Sequence, residues 1–219
     1  FRMSSILYRF DDKQNNSVLE LRSRISNTLS NNLIIGYSRI RDSRAYEGTP
    51  FPQIRINGLT NGASVLFGNE ASSTANELDQ DIFEFTNNFK IFANKHTFTI
   101  GTHNEFYKIR NLFINNMNGN YTWNSIADFE ANTKPGAATS KSIVPGDPRP
   151  AAKFKAAQLG FYFQDEIEAF KGFKLMAGLR VDVPLLFDTP GANPKVAASF
   201  PGYSTNQLPS KNPLVSPRL

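Results

Sequence analysis

The residues able to do chemistry in this chain are few, and their spacing separates them. His96 and His103 are the only histidines, seven positions apart. Side chains alternate faces along a strand, so this odd spacing puts the two rings on opposite faces, where they cannot share a metal ion. His96 borders a turn. His103 lies on one polar face with Glu105 and Tyr107 and is a candidate ligand contact. Glu77, Asp79 and Asp81 share a face near a strand end. Carboxylate oxygens suit a hard cation, but a solvated strand end uses the same residues. Asp165 and Glu166 are adjacent and face opposite ways, so they are no glycosidase-type acid and base. Glu166 reads instead as half of an ion pair with Lys174 or Arg180. The chain has no P-loop, G-x-G-x-x-G, H-E-x-x-H or nucleophile–base pattern. The expectation is no catalytic residue, no metal site, no cofactor and no enzyme.

The elements that carry these residues are alternating apolar and polar runs. The clearest is KAAQLGFYFQDEIEAFKGFKLMAGLRVDVP, residues 155–184. Ala157, Leu159, Phe161, Phe163 and Ile167 fall on one face, and Gln158, Tyr162, Gln164 and Glu166 on the other. After a turn at 168–172, Phe173, Leu175, Ala177, Leu179, Val181 and Val183 oppose Lys174, Met176, Gly178, Arg180 and Asp182. Period-two alternation predicts a hairpin with one apolar and one wet face. A second hairpin is expected over 18–38, turning at Ser30-Asn31-Asn32, with Glu20, Arg22 and Arg24 on its polar face. A third spans 77–110, turning at Ala93-Asn94-Lys95. Residues 1–10 read as a further strand, and 11–16 as a polar turn. Between the hairpins lie Gly-, Pro- and Asn-rich stretches at about 42–75, 111–153 and 185–219. They carry only a short β-like piece at Gln53–Ile56 and a short helix around residues 124–130.

Each run has about the 9–11 residues that a tilted strand needs to cross a bilayer. Short turns alternate with long loops, the pattern of an outer-membrane barrel with periplasmic turns and extracellular loops. Strands span hydrocarbon only as a closed barrel, because every backbone polar group must be paired there. The fold class expected is therefore all-β: an antiparallel up-and-down transmembrane β-barrel, present here as roughly 6–8 strands of a wider cylinder. The charged second face (Glu20, Arg22, Arg24, His103, Glu105, Tyr107, Glu166, Lys174, Arg180 and Asp182) suits a wide hydrated lumen better than a packed core. The 19 Phe with a single Trp and no Cys fit an apolar wall and exclude a disulfide scaffold or a Cys metal site. A net charge of +5 is spread singly rather than in basic blocks, which argues against nucleic acid. Tyr8, Tyr37, Phe92, Phe106, Phe170 and Phe173 fit interfacial girdles.

Several phrases resemble TonB-dependent outer-membrane receptors, in particular the Oar-like group with a carboxypeptidase-regulatory-like N-terminal domain. They are Phe51-Pro52, FGNEASSTANELDQ at 67–80, HTFTIGTHNEFYKIRNLFI at 96–114, YTWNSIADF at 121–129, and SPRL with Ser216, Pro217 and Arg218. The longest is LGFYFQDEIEAFKGFKLMAGLRVDVP at 159–184, which holds Gln164, Asp165, Glu166, Gly178, Arg180 and Asp182. What the resemblance implies is a barrel of about 22 strands, an N-terminal plug inside it and a periplasmic TonB partner that energises transport. It also implies a monomeric barrel among the lipids of a Gram-negative outer membrane. On this reading residues 1–219 are a partial barrel domain, without plug or coupling box, that would aggregate if expressed alone. The alternatives are a passive or adhesive barrel and a soluble β-sandwich binding module. The transported solute is not written in the residues.

Overall fold

A computed structural model describes residues 1–140, 146–209 and 211–219. Those parts of the expected 111–153 and 185–219 loops at 141–145 and 210 lie outside the described residues. The strands in chain order are β1 (Tyr8–Arg24), β2 (Leu29–Tyr46), β3 (Gln53–Ile56), β4 (Val65–Phe67), β5 (Asn76–Ala93) and β6 (His96–Phe113). There follow β7 (Asn120–Trp123), helix α1 (Ile126–Glu130), β8 (Ala137–Thr139), β9 (Ala152–Phe170), β10 (Phe173–Leu186), helix α2 (Pro194–Ser199) and β11 (Leu214–Arg218). Seven strands form one sheet in the order β1-β2-β5-β6-β9-β10-β11, and four form a second in the order β4-β3-β7-β8. In the large sheet every neighbour follows in chain order once the second sheet's strands are set aside, an up-and-down meander. It is open, with β1 and β11 as its edges.

The hairpin of β9 and β10 has the expected faces. Phe161 pairs with Val181 and Phe163 with Leu179, while Tyr162 pairs with Arg180 and Gln164 with Gly178. Its turn is tighter than expected, because β9 continues to Phe170 and leaves only Lys171 and Gly172, the latter at φ 86°. The rings of Phe170 and Phe173 stack at 4.9 Å across it. The β5–β6 hairpin turns at Asn94 and Lys95 as read, with Asn94 at φ 54°.

Other expectations are corrected. Residues 11–16 are not a turn: they lie inside β1, which starts only at Tyr8 after a 3-10 turn at Ser4–Ile6. Their Asp and Asn side chains are tolerated because an exposed edge strand needs no apolar burial. The first hairpin turns at residues 25–28, where Ile25 and Ser26 donate to Leu29 O, and Ser30-Asn31-Asn32 belongs to β2. The stretches at 42–75 and 111–153 are not structureless. They extend β2 and β6 and supply the second sheet, in which β3 pairs with β7 in parallel from Gln53↔Asn120 to Ile56↔Trp123. The stretch at 185–219 holds α2 and β11, the latter paired with β10 from Gly178↔Arg218 to Asp182↔Leu214. Pro217 is accommodated there because β11 is an edge strand.

The chain divides into two compact units. One comprises residues 1–14, 40–79 and 110–153, and includes the second sheet. Its core is Ile54, Ile56 and Trp123, packed on by Leu59, Phe67, Tyr121 and Phe129, with a further cluster at Ala75, Leu112 and Ile114. Trp123 meets Phe129 edge-on at 5.2 Å and donates from Nε1 to Thr133 O at 3.0 Å. Ser125 caps α1, accepting from Asp128 N at 3.0 Å. The other unit, residues 15–39, 80–109 and 154–219, carries both faces of the sheet. No helix among the described residues is long and apolar enough to cross a membrane, which says nothing of strands.

Candidate lumen-facing site

The polar face is a set of small hydrogen-bonded groups held in register by β5, β6, β9 and β10. At its centre Tyr162 donates from its hydroxyl to Asn88 Oδ1 at 2.5 Å. The Arg180 guanidinium lies 5.6 Å from the Tyr162 ring centroid and binds both oxygens of Asp182, with Nε to Oδ2 at 2.8 Å and Nη2 to Oδ1 at 2.7 Å. Two glycines make the room. A Cβ at Gly101 would stand 2.6 Å from the Tyr162 hydroxyl oxygen and closer still to the ring. A Cβ at Gly160 would stand 2.9 Å from His103 O and 3.0 Å from Asp182 Oδ1. Large polar side chains therefore lie flat on the sheet over strand glycines, and the face stays open above them.

His103 accepts from or donates to Thr86 Oγ1 through Nδ1 at 2.7 Å. Glu84 lies 3.6 Å from the same nitrogen, and Glu105 lies 3.6 Å from Nε2. The two carboxylates flank opposite sides of the ring, so the three groups do not converge on one ion. Tyr107 donates to Glu105. Lys174 Nζ meets Glu166 Oε1 at 2.8 Å, which realises one of the two expected pairings; Arg180 is taken by Asp182 instead. Arg22 makes a two-pronged pair with Glu20 at 2.8 and 2.9 Å, and Arg24 donates to Asn27 at 3.0 Å. Near the turns this face opens into a concavity of about 650 Å³ lined by Arg22, Arg24, Asn31, Lys90, Tyr162 and Gln164, among others. Such a lining offers cations and amides to a hydrated polar solute. Among the described residues no group of three His, Cys, Asp or Glu could hold a metal ion.

The acids off this face are also engaged. Arg110 donates to Glu77 at 2.9 Å and to Asp79 at 3.1 Å, and Arg149 also binds Glu77. Arginine thus supplies the positive charge facing Glu77 and Asp79, while Asp81 accepts from the Tyr37 hydroxyl at 3.2 Å. Asp165, facing away from Glu166, has a side chain only 17 % exposed that pairs with His96 Nδ1 at 2.8 Å. His96 stacks on Phe98, and Phe98 on Phe163.

Thr86, Asn88 and Lys90 on β5 and the strand glycines Gly101 and Gly160 also belong to this face, although none of them is among the site residues expected from the sequence. The usable signal was glycine at polar-face positions inside strands. The motif residues gather from distant segments. Gln164 pairs with Gly178, Glu166 with Met176, Gly178 with Arg218 and Arg180 with Ser216. The Phe51 ring stacks on Phe67 at 6.5 Å, and its N–H donates to Asn69 Oδ1 at 2.7 Å. Gly68, at φ 90°, leaves space for the Pro52 carbonyl.

A meander of long antiparallel strands, apolar on one face and hydrated on the other, is the wall of a membrane β-barrel. A family model described as an outer membrane beta barrel domain matches residues 6–208, and the chain belongs to that family. Its place is accordingly the outer membrane. No curated protein and no solved structure matches the chain.

Proposed function

We propose that this domain is the wall of a TonB-dependent transporter of the Oar-like type, a non-catalytic barrel of about 22 strands. It would enclose an N-terminal plug and draw energy through a periplasmic TonB protein, in the outer membrane of a Gram-negative cell. The observation that carries the reading is the convergence of the motif residues. Gln164, Glu166, Gly178, Arg180, Asp182, Ser216 and Arg218 come from two sequence segments, 159–184 and 216–219, and sit in register on adjacent strands β9, β10 and β11. An open polar face with Tyr162 and Arg180 laid flat over glycines supports a lumen wide enough for a plug and a hydrated solute.

The test is conductance. The full-length protein, inserted into planar bilayers, should hold no steady current, because a plugged transporter is closed at rest. Cells lacking the TonB protein should show the same loss of uptake as cells lacking this gene. A steady open-channel current, or uptake unchanged without TonB, would favour a passive or adhesive barrel.

A further inference from the structure

A second hollow adjoins the concavity near the turns. It measures about 260 Å³ and is lined by Gln164, Gly178, Arg180 and Arg218, among others. Tyr162 and Gln164 line both openings and so form the wall they share. Gly178 makes the second one. It pairs with Gln164 on one side and with Arg218 on the other, and it has no side chain to fill the space between them. A Cβ there would stand 3.0 Å from Phe163 O.

The two hollows are lined by five cationic side chains: Arg22, Arg24 and Lys90 in the first, Arg180 and Arg218 in the second. Among the described residues no carboxylate lines either. The acids beside them are already bound. Arg22 holds Glu20, and Arg180 holds Asp182. Glu166, which also feels the charge of Lys90, is held by Lys174. Glu105, which acts on Arg180 through space, accepts from Tyr107. Arg24 donates to the neutral amide of Asn27. Lys90 and Arg218 have no hydrogen-bond or ion-pair partner among the described residues. Cations gathered in a hollow repel one another and concentrate ions of the opposite sign. Guanidinium groups match carboxylate and phosphate oxygens in particular.

We propose that this wall binds an elongated solute bearing carboxylate or phosphate groups, one seated at Arg24 and Lys90 and another at Arg180 and Arg218. The solute's middle crosses Tyr162 and Gln164, whose hydroxyl and amide suit uncharged polar groups. Spacing sets its length. Lys90 on β5 and Arg218 on β11 are four strand spacings apart in the sheet, about 19 Å, so one small anion reaches a single seat. The inference rests on the reading of this domain as a transporter wall and narrows its solute to that charge class.

Isothermal titration calorimetry of the full-length protein in a neutral detergent tests this, with hexaglutamate, linear hexaphosphate, citrate and maltohexaose as probes. At least one of the two long anions should bind, and more tightly than citrate, since two linked groups engage two seats. The tighter of the two tells carboxylate from phosphate. The neutral sugar should give no heat. Lys90→Gln and Arg218→Gln should each weaken the long anion about tenfold, from one lost charge-assisted contact. Lys171→Gln, in the β9–β10 turn, should leave it unchanged. Far-UV circular dichroism shows whether the Arg218 variant keeps its sheet; if it does not, Lys90→Gln alone decides. The proposal is overturned if neither long anion binds, as when acidic side chains elsewhere in the full-length chain fill the hollows. Citrate or maltohexaose bound as tightly as the long anions, or affinity indifferent to Lys90 and Arg218, would overturn it too. Uptake that needs TonB without anion binding supports the transport reading and overturns the site. Lys90-dependent anion binding with uptake unchanged without TonB supports the site and counts against the transport reading.

Discussion

Substituting Gly101 by Ala should cost more than an added methyl group ordinarily does in a strand. The new Cβ would stand 2.6 Å from the Tyr162 hydroxyl oxygen and closer to its ring. The ring is not free to yield, because its hydroxyl is bonded to Asn88 and its face is covered by Arg180. Overpacking of this kind costs about 1–3 kcal/mol, and losing the Tyr162–Asn88 bond adds about 1 kcal/mol. Against this, removing a glycine from a strand returns about 0.5–1 kcal/mol. The net expectation is a loss of about 2 kcal/mol, read from urea unfolding of the full-length protein in lipid vesicles by far-UV circular dichroism. The decisive measurement is the double-mutant cycle with Tyr162→Ala. With the ring gone, Gly101→Ala should be neutral or stabilising. If it costs the same in both backgrounds, the close packing of Tyr162 on Gly101 is not what the glycine is for, and the reasoning fails.

The two faces of β10 give a second prediction. Leu179 pairs with Phe163 on the apolar face near the middle of the strand, so Leu179→Lys should cost about 2–4 kcal/mol in vesicles, whereas Met176→Lys on the polar face should change little; equal costs would contradict the assignment. A third concerns the loops. Burial alone would raise the Glu70 carboxyl, but hydrogen bonds from Ser73 and Ser72, helped by the Arg44 charge, outweigh it and hold the group below its ordinary value. Its contribution is therefore present above about pH 4.3 and is lost as pH falls through the lower folded value. Trp123, in the same unit, should report this as a red shift of its emission on acidification, and Glu70→Gln should remove that step.

The membrane-crossing hairpins were legible because their period-two pattern is enforced at every residue by hydrocarbon on one side and water on the other. That is why β5, β6, β9 and β10, with the faces of Phe163, Leu179, Tyr162 and Arg180, could be read directly. β1 was misread where this pressure is weak: residues 11–16 have the composition of a turn yet form part of an exposed edge strand. The same holds for Ser30-Asn31-Asn32, whose turn-like residues are strand because the chain already reverses at residues 25–28. The second sheet was hidden for another reason. β3, β4, β7 and β8 are 3–4 residues long, too short for a period to show, and pairing between β3 and β7 joins segments remote in sequence. In the site, charged residues were visible by type, but their partners were settled by register. Arg180 chose Asp182, on its own strand and face, over Glu166, while Asp165 and His96 met across two strands that sequence could not align.

The parallel pairing of β3 with β7 also imposes an order of events on folding. Gln53 and Asn120 are 67 residues apart, and the whole β5–β6 hairpin lies between them. Closing that hairpin first shortens the remaining loop to roughly 30 residues, a saving of about 0.7 kcal/mol in chain entropy. The small sheet is thus a late contact of high sequence separation, formed quickly only after β5 and β6 have joined. A lesion that slows the β5–β6 turn, at Asn94 for example, should delay the loops as well, although it touches none of their residues.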